Sequence, residues 1–347
     1  SSLGDEPDLV RHARDAGINY FDTAESYTGS VSETTIGKAL RGDRQRVILA
    51  TKTEASAQGR REDFMHALEG SLRRLRTDSV DVYFNHAVND VARMKNPEWR
   101  EFTVAAKKQG KIRFAGMSGH AGNLIECLDY ALDEKLVDVV LVAYNFGQDP
   151  AFYQGFLGST QMVAVHPELP KVLRRAHADG VGVVAMKTLM GARLNDLRPY
   201  EKNGATFAQA AFRWVLSNPD VDALIVTMKS RERIDEYLGA SGGLALRDAD
   251  APLLVRYAAV NHRAFCRFGC DSCVSSCPSG VDIPEVLHSR MYALDYGDLA
   301  LGRSAYAKLG RGAEACLSCA VRSCASACPN GLAIERMTAE SHRLLAG

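Results

Sequence analysis

Seven short apolar runs, each separated from the next by a stretch of helical period, constrain this chain more than any other feature. They are Ile18–Phe21, Val47–Thr51, Val80–Phe84, Phe114–Met117, Val137–Tyr144, Val181–Met186 and Ala223–Thr227. Between them lie amphipathic segments such as Phe64–Leu75, Trp99–Gln109, Leu124–Leu132, Leu169–Ala178 and Phe207–Leu216. Several runs are apolar throughout, as strands covered on both faces must be. Strand alternating with helix builds right-handed βαβ units and a parallel sheet. Seven such units plus one close a (β/α)8 TIM barrel. A helix over Asp5–Asp15 precedes the first run, so the first barrel strand is expected before Ser1 and missing here. An open doubly wound sheet is the alternative, but its Gly-rich turn from a first strand into a helix is absent. The stretch Gly180-Val181-Gly182-Val183-Val184-Ala185 has the right spacing yet leads into a strand.

The balance of the chain narrows the function classes. Lys plus Arg number 42, as do Asp plus Glu, so there is no general electrostatic case for nucleic acid or an anionic membrane. No run approaches the roughly 18 apolar residues of a membrane span. After the fifth run, the sixth barrel strand once the one expected before Ser1 is counted, Gly147–His166 carries Phe152, Tyr153 and Phe156 with little periodicity. It reads either as a substrate loop at the barrel mouth or as a surface excursion. A Gly-rich break over Gly239–Leu246, then a helix over Ala251–Arg263, sets the expected domain boundary: a barrel over 1–245 and a second domain over 246–347.

Three strand ends carry chemistry. Asp22 and Tyr27 follow the first run, Lys52 ends the second and His86 follows the third. The C-terminal ends of barrel strands converge on one mouth. A Tyr hydroxyl titrates near about pH 10, and a neighbouring ammonium is expected to lower that value. Asp22 supplies the counter-charge a buried Lys52 needs, and His86 can donate a hydrogen bond to a carbonyl oxygen. The four together equip a site to add hydride to C=O, or to run the reverse.

On these residues the chain resembles the aldo-keto reductase superfamily. The match is carried by Gly17-Ile18-Asn19-Tyr20-Phe21-Asp22-Thr23-Ala24-Glu25-Ser26-Tyr27, then Ser32-Glu33 and Gly37-Lys38-Ala39-Leu40. The Lys and His at the next two strand ends follow, and Gly110–Ser118 looks like that family's fifth strand. The resemblance implies Tyr27 as proton donor, with Asp22, Lys52 and His86 tuning it. It also implies NADP(H) extended across the mouth, with Ser118 and Asn145 at the next strand ends. The segment Met228–Glu236 is similar to the family's adenosine-phosphate segment, with Lys229, Ser230, Arg233 and Glu236 as cofactor contacts. A helix start at Ser230 suits phosphate, and Lys229 and Arg233 suit a 2′-phosphate. The bland alternative is a basic first turn on an exposed helix. Three positions depart from the family: Leu141 in place of a Gln for the nicotinamide amide, Met186 in place of a stacking aromatic, and Tyr237 in place of an adenine-side Asn.

Of the nine cysteines, Cys127 lies alone in a helical pattern and reads as a packing residue. The other eight form two groups, Cys266-x3-Cys270-x2-Cys273-x3-Cys277-Pro278 and Cys316-x2-Cys319-x4-Cys324-x3-Cys328-Pro329. Both keep the final x3 and Pro of the two-cluster ferredoxin pattern, with one and two extra residues. In such folds the fourth Cys of each run binds the other cluster. The expected sets for two [4Fe-4S] clusters are therefore Cys266, Cys270, Cys273 and Cys328, and Cys316, Cys319, Cys324 and Cys277. Structural zinc and disulfides are the alternatives. Helical character at Ile283–Leu294 and Leu299–Leu309 resembles an α-helical ferredoxin domain. A barrel followed by such a domain resembles the iron–sulfur subfamily of aldo-keto reductase-like proteins.

The resulting expectation is an oxidoreductase interconverting a carbonyl and an alcohol with NADP(H), its clusters serving electron transfer or structure. A small carbonyl or alcohol substrate and a redox partner protein are the expected partners. Two alternatives stand beside it: an electron-transfer or interaction protein with a non-catalytic barrel, and a redox-neutral lyase or isomerase. The expected compartment is the cytoplasm, with the periplasm by twin-arginine export as the alternative.

Overall fold

The computed structural model describes residues 6–120, 123–148, 166, 168–189, 197–202, 204–242, 245–261, 266, 270–294, 298–310, 312–329 and 331–347. Most of the expected loop after the fifth run, including Phe152, Tyr153 and Phe156, lies outside them. The described residues fall into two compact units. One comprises those of Ser1–Tyr144, Pro167–Thr188 and Phe212–Ala245; the other those of Asn145–His166, Leu189–Ala211 and Leu246–Gly347.

In the first unit the seven apolar runs become seven parallel strands in sequential order. These are β1 (Tyr20–Asp22), β2 (Ile48–Thr53), β3 (Val80–Asn85), β4 (Ile112–Gly119), β5 (Val139–Ala143), β6 (Gly182–Met186) and β7 (Ala223–Leu224). Among the described residues β1 and β7 are the sheet's two edges, the positions between which a further strand is expected. One face gathers Ala50, Val82, Phe84, Leu141 and Val184 into a single apolar cluster, with Tyr20, Met186 and Ala223 against it. Side chains from strands this far apart in the sheet meet only if the sheet curls, so this face is the barrel interior.

The opposite face packs on helices. Phe21, Leu49, Tyr83 and Ala115 join Phe64, Leu68, Trp99 and Phe102 in the larger core. Helix α3 (Arg61–Leu75) starts where the Asp63 carboxylate accepts the Arg60 N–H at 3.1 Å and stops where Arg76 turns left-handed at φ 55°. It buries Phe64, Leu68, Leu72 and Leu75, each contributing about 1.5–3 kcal/mol. Helix α1 (Pro7–Asp15) precedes β1; α5 (Pro97–Lys108), capped by Asn96, buries Trp99 and Phe102; α6 (Leu124–Asp133) buries Cys127. Helix α2 (Val31–Ala39) lacks an apolar stripe because it is covered on most sides, burying Ser32, Glu33 and Thr35 as well as Ile36. Gly37 permits that closeness: a Cβ there would stand 2.5 Å from the Arg74 carbonyl oxygen. Short α4 (Val91–Lys95), α7 (Leu169–Ala178), α8 (Phe207–Leu216) and α9 (Arg231–Leu238) follow in chain order.

The described elements of the second unit are helical: α10 (Asp250–Asn261), α11 (Ile283–Leu294), α12 (Leu299–Ala307), α13 (Ser323–Ala327) and α14 (Ile334–Leu345), with a one-turn 3-10 segment at Glu314–Leu317. Val281, Ile283, Val286, Leu332, Ile334 and Met337 form its core, and Cys266, Cys273, Cys277, Cys316, Cys324 and Cys328 pack on or in that core. Tyr306 ties the unit together, its hydroxyl 2.7 Å from His342 Nδ1 and accepting the Ala313 N–H at 2.6 Å.

Candidate active site and cysteine sites

The chain reaches the barrel mouth by crossing from β1 over β2. Thr23 N–H donates to the Ala50 carbonyl at 3.0 Å and Glu25 N–H to the Lys52 carbonyl at 3.3 Å. Tyr27 then opens a tight turn in which Thr28, Gly29 and Ser30 are all left-handed, at φ 51°, 60° and 71°. Two non-glycine residues in that region are costly and need outside support. The Ser30 hydroxyl supplies some by donating to the Glu25 carbonyl at 2.8 Å.

Lys52 is 1% exposed. Its Nζ donates to Asp22 Oδ2 at 2.5 Å and to the Thr23 carbonyl at 2.7 Å. The same nitrogen lies 5.1 Å from the centre of the Tyr27 ring. The His86 ring meets Tyr27 edge-on at 5.6 Å, with the planes at 78°. Thus all four residues taken from the strand ends are brought together. Behind them Glu33, fully buried, takes hydrogen bonds from Thr51 Oγ1 at 2.5 Å and Arg74 Nε at 2.6 Å.

The electrostatics differ from the sequence expectation in one respect. Burial, reinforced by the charges of Asp22 and Glu54, pushes the Tyr27 phenol above its ordinary value. Burial lowers Lys52 itself, against the opposing pull of Asp22 and Glu33. The phenol thus favours its protonated form beside the Lys52–Asp22 pair.

The cofactor candidates are more scattered. Ser118, in β4 and 1% exposed, accepts the Ala87 N–H on its hydroxyl at 2.9 Å. Asn145 falls in the other unit, where its Oδ1 accepts the Gly147 N–H at 2.9 Å. Ser230 caps α9 by accepting the Arg233 N–H at 3.3 Å, and Arg233 pairs with Glu236 at 2.5 Å. Lys229 just before it is exposed. The departures from the family pattern take distinct places. Leu141 is fully buried in the barrel interior, Met186 is half-buried against the same cluster, and Tyr237 packs edge-on to Phe212 at 5.0 Å. The Ser230 end thus fits a phosphate, whereas Leu141 offers a nicotinamide amide no hydrogen bond.

Sequence reasoning missed Arg93, on α4. Its guanidinium bonds to the carbonyls of Ala55, His86 and Ala87 and to the Asn85 side chain. No motif marks it, since three of its four partners are main-chain oxygens.

The eight clustered cysteines surround two hollows. One is lined by Cys266, Cys270, Cys273 and Cys328, with Ile283, Leu287 and Ile334. The other is lined by Cys277, Cys316, Cys319 and Cys324, with Arg322, Glu335 and Thr338. Each set thus takes its fourth thiol from the opposite sequence group. None of the nine cysteines is in a disulfide. Burial and neighbouring thiols raise Cys273 to about 11, and burial and the thiols around them also raise Cys316 and Cys324. The Val281 N–H donates to Cys277 Sγ at 3.4 Å, as amides around thiolate-bound clusters do. Among the described residues no three Cys, His, Asp or Glu side chains converge on one metal ion. Four thiols ringing a hollow suit a multi-iron cube better than a single zinc.

Comparison with known proteins agrees with this arrangement. The model of the Aldo/keto reductase family matches residues 5–255, and that of a 4Fe-4S dicluster domain matches residues 265–333. The L-glyceraldehyde 3-phosphate reductase of Escherichia coli O157:H7 is 25% identical over 282 residues, 70% of this chain and 81% of that protein. The L-galactose dehydrogenase of Arabidopsis thaliana is 25% identical over 272 residues, 68% of this chain and 78% of that protein. A solved aldo/keto reductase from Klebsiella pneumoniae, in complex with NADP and acetate, is 25% identical with a TM-score of 0.57, covering 78% of this chain and 89% of that one. The chain belongs to the aldo/keto reductase family of oxidoreductases, and a 4Fe-4S dicluster domain follows its barrel.

Proposed function

We propose that the barrel reduces a small carbonyl compound to an alcohol, or runs the reverse, using NADP(H). The observation that carries this reading is the Lys52 nitrogen, which bridges Asp22 and the Thr23 carbonyl beneath the Tyr27 ring while His86 stands against the ring's edge. Bound NADPH supplies the hydride. Tyr27 holds the proton that the new alkoxide oxygen takes up. His86 donates a hydrogen bond to the same oxygen and fixes the carbonyl's orientation. Lys52, 5.1 Å from the ring centre, stabilises the phenolate left after transfer, and Asp22 keeps Lys52 charged in a buried place.

The cofactor's adenosine-phosphate end is assigned to Lys229, Ser230, Arg233 and Glu236, with the phosphates on Lys229, Ser230 and Arg233, and its nicotinamide side to Ser118 and Asn145. That the solved Klebsiella relative holds NADP supports the choice of cofactor. The boundary between the two domains is placed between 245 and 246. The two thiol sets hold two [4Fe-4S] clusters, which exchange single electrons with a partner protein. A hydride carries two electrons, so this exchange runs apart from the barrel reaction.

A second reading, a barrel that has lost turnover, draws on Leu141, which lines the interior with hydrocarbon only. One experiment separates the two. NADPH is titrated into the protein by fluorescence, then 4-nitrobenzaldehyde is added as a generic carbonyl probe. Wild type is expected to bind NADPH and oxidise it. Tyr27→Phe is expected to bind it equally and turn over about 100-fold or more slowly. No NADPH binding by wild type would favour the second reading.

A further inference from the structure

His86 leaves β3 on a turn pinned from both neighbouring strands. Its N–H donates to the Thr53 carbonyl of β2 at 2.8 Å. The next two N–H groups go to Ser118 of β4, Ala87 to the hydroxyl at 2.9 Å and Val88 to the carbonyl at 2.7 Å. Ala87 is left-handed at φ 52°, a conformation a non-glycine residue holds only when its surroundings fix it.

The oxygens around this turn are collected by one side chain. Arg93 donates from Nη2 to the His86 carbonyl at 2.8 Å and to Asn85 Oδ1 at 2.6 Å. Its Nη1 reaches the Ala87 carbonyl at 2.9 Å and its Nε the Ala55 carbonyl at 2.7 Å. A guanidinium can do this because its donors form a rigid planar fork; an ammonium has three donors around one point. Arg93 is itself carried by α4, five residues long, which Asp90 caps by accepting the Ala92 N–H at 2.9 Å.

We propose that Arg93 is a positioning residue for the reaction: by clamping the carbonyls of Ala55, His86 and Ala87 and the side chain of Asn85, it fixes the turn that holds the His86 ring against Tyr27. This rests on the catalytic role given to His86 above. Misplacing a reacting group by about an ångström costs on the order of 100-fold in rate, so loss of the clamp is read in kcat rather than in cofactor affinity. A merely structural role would show up in folding and would be indifferent to whether the imidazole is present.

The test uses the full-length protein purified anaerobically, with NADPH and 4-nitrobenzaldehyde as the probe. Arg93→Met is expected to lower kcat about 10- to 100-fold while the Kd for NADPH stays within about twofold. Arg93→Lys recovers part of the rate. In a His86→Ala background, Arg93→Met is expected to change kcat by less than about twofold, because no imidazole is left to misplace. Costs that multiply in the double variant overturn the proposal. If His86→Ala alone leaves kcat unchanged, the catalytic reading fails instead.

A second measurement decides the positioning claim without turnover. The ring signals of His86 in 15N-histidine spectra, assigned by their loss in His86→Ala, are expected to broaden or split in Arg93→Met while those of the other histidines stay put. Should Arg93→Met not fold, Arg93→Lys gives the same reading. Unchanged His86 signals overturn the proposal whether or not the probe is reduced.

Discussion

Lys52 has 1% of its surface exposed and a carboxylate at 2.5 Å. Removing one member of such a pair leaves the other charge buried and alone, at a cost of about 3–5 kcal/mol. Lys52→Met is therefore expected to destabilise the protein by about that much in urea unfolding, and adding Asp22→Asn to restore a substantial part of it. Strictly additive losses would mean that the pair is not coupled. The phenol beside it is pushed upward by burial first and by Asp22 second, so Tyr27 stays protonated through neutral and mildly alkaline pH. A proton donor with a raised pKa keeps its proton below that value. The rate of carbonyl reduction is accordingly expected to stay level from about pH 6 to about pH 9, without a fall due to Tyr27. The four mouth residues were legible in the sequence because Asp22, Lys52 and His86 stand where apolar runs stop and Tyr27 follows the first of them by a short polar stretch. The direction of the Tyr27 shift was not, since it depends first on how deeply the phenol is buried and then on how close Asp22 and Glu54 lie. Arg93 was invisible for a related reason: its Ala55 partner is 38 residues away and contributes only a carbonyl.

At the scale of elements, the strands declared themselves by hydrophobic pattern and their ends by polar residues. Helix α2 did not, because burial on most of its sides erases an amphipathic stripe. One carboxylate fastens three strands. Asp81 of β3 accepts the Leu49 N–H of β2 at 2.9 Å and Arg113 of β4 at 2.7 Å, and pairs with Arg44 at 2.7 Å. Burial pushes its acid upward, but Leu49, Arg113 and Arg44 outweigh burial and hold it below the usual carboxylate range. A lowered folded-state value means that the stabilisation is present above about pH 4, where the unfolded carboxylate is already ionised. It disappears as the pH falls through the lowered folded value. Asp81→Asn is expected to lose about 1.5–3 kcal/mol at pH 7, with the gap to wild type closing below about pH 4. A gap as wide at pH 3 as at pH 7 would contradict this account of Asp81.

For the whole molecule, the crossing of the cysteine sets is the feature that spacing made legible and single positions did not. Cys328 lines one hollow with Cys266, Cys270 and Cys273, while Cys277 lines the other. The hydroxyl of Ser323 bonds to the Ser276 carbonyl, tying the two cysteine loops together. The proposed pair of four-iron clusters predicts about eight iron and eight acid-labile sulfide per chain in anaerobic protein. Cys328→Ala and Cys273→Ala should remove the same cluster, seen as the same half of the spectrum lost by electron paramagnetic resonance after dithionite reduction. Loss of different halves would show that the sets do not cross, and zinc in place of iron would remove the clusters altogether. The boundaries of the barrel's seventh strand were less legible, since the run Ala223–Thr227 yields a strand of two residues at the sheet's edge.

The central claim is that the mouth of this barrel hands hydride to a carbonyl under the proton of Tyr27. Its most direct test is label transfer: anaerobic protein is given NADPH deuterated at both C4 positions and 4-nitrobenzaldehyde, and the alcohol is weighed by mass spectrometry. The account predicts one deuterium on the carbinol carbon with wild type and almost none of that product with Tyr27→Phe. Product carrying hydrogen from solvent, or formed equally well without NADPH, would contradict it.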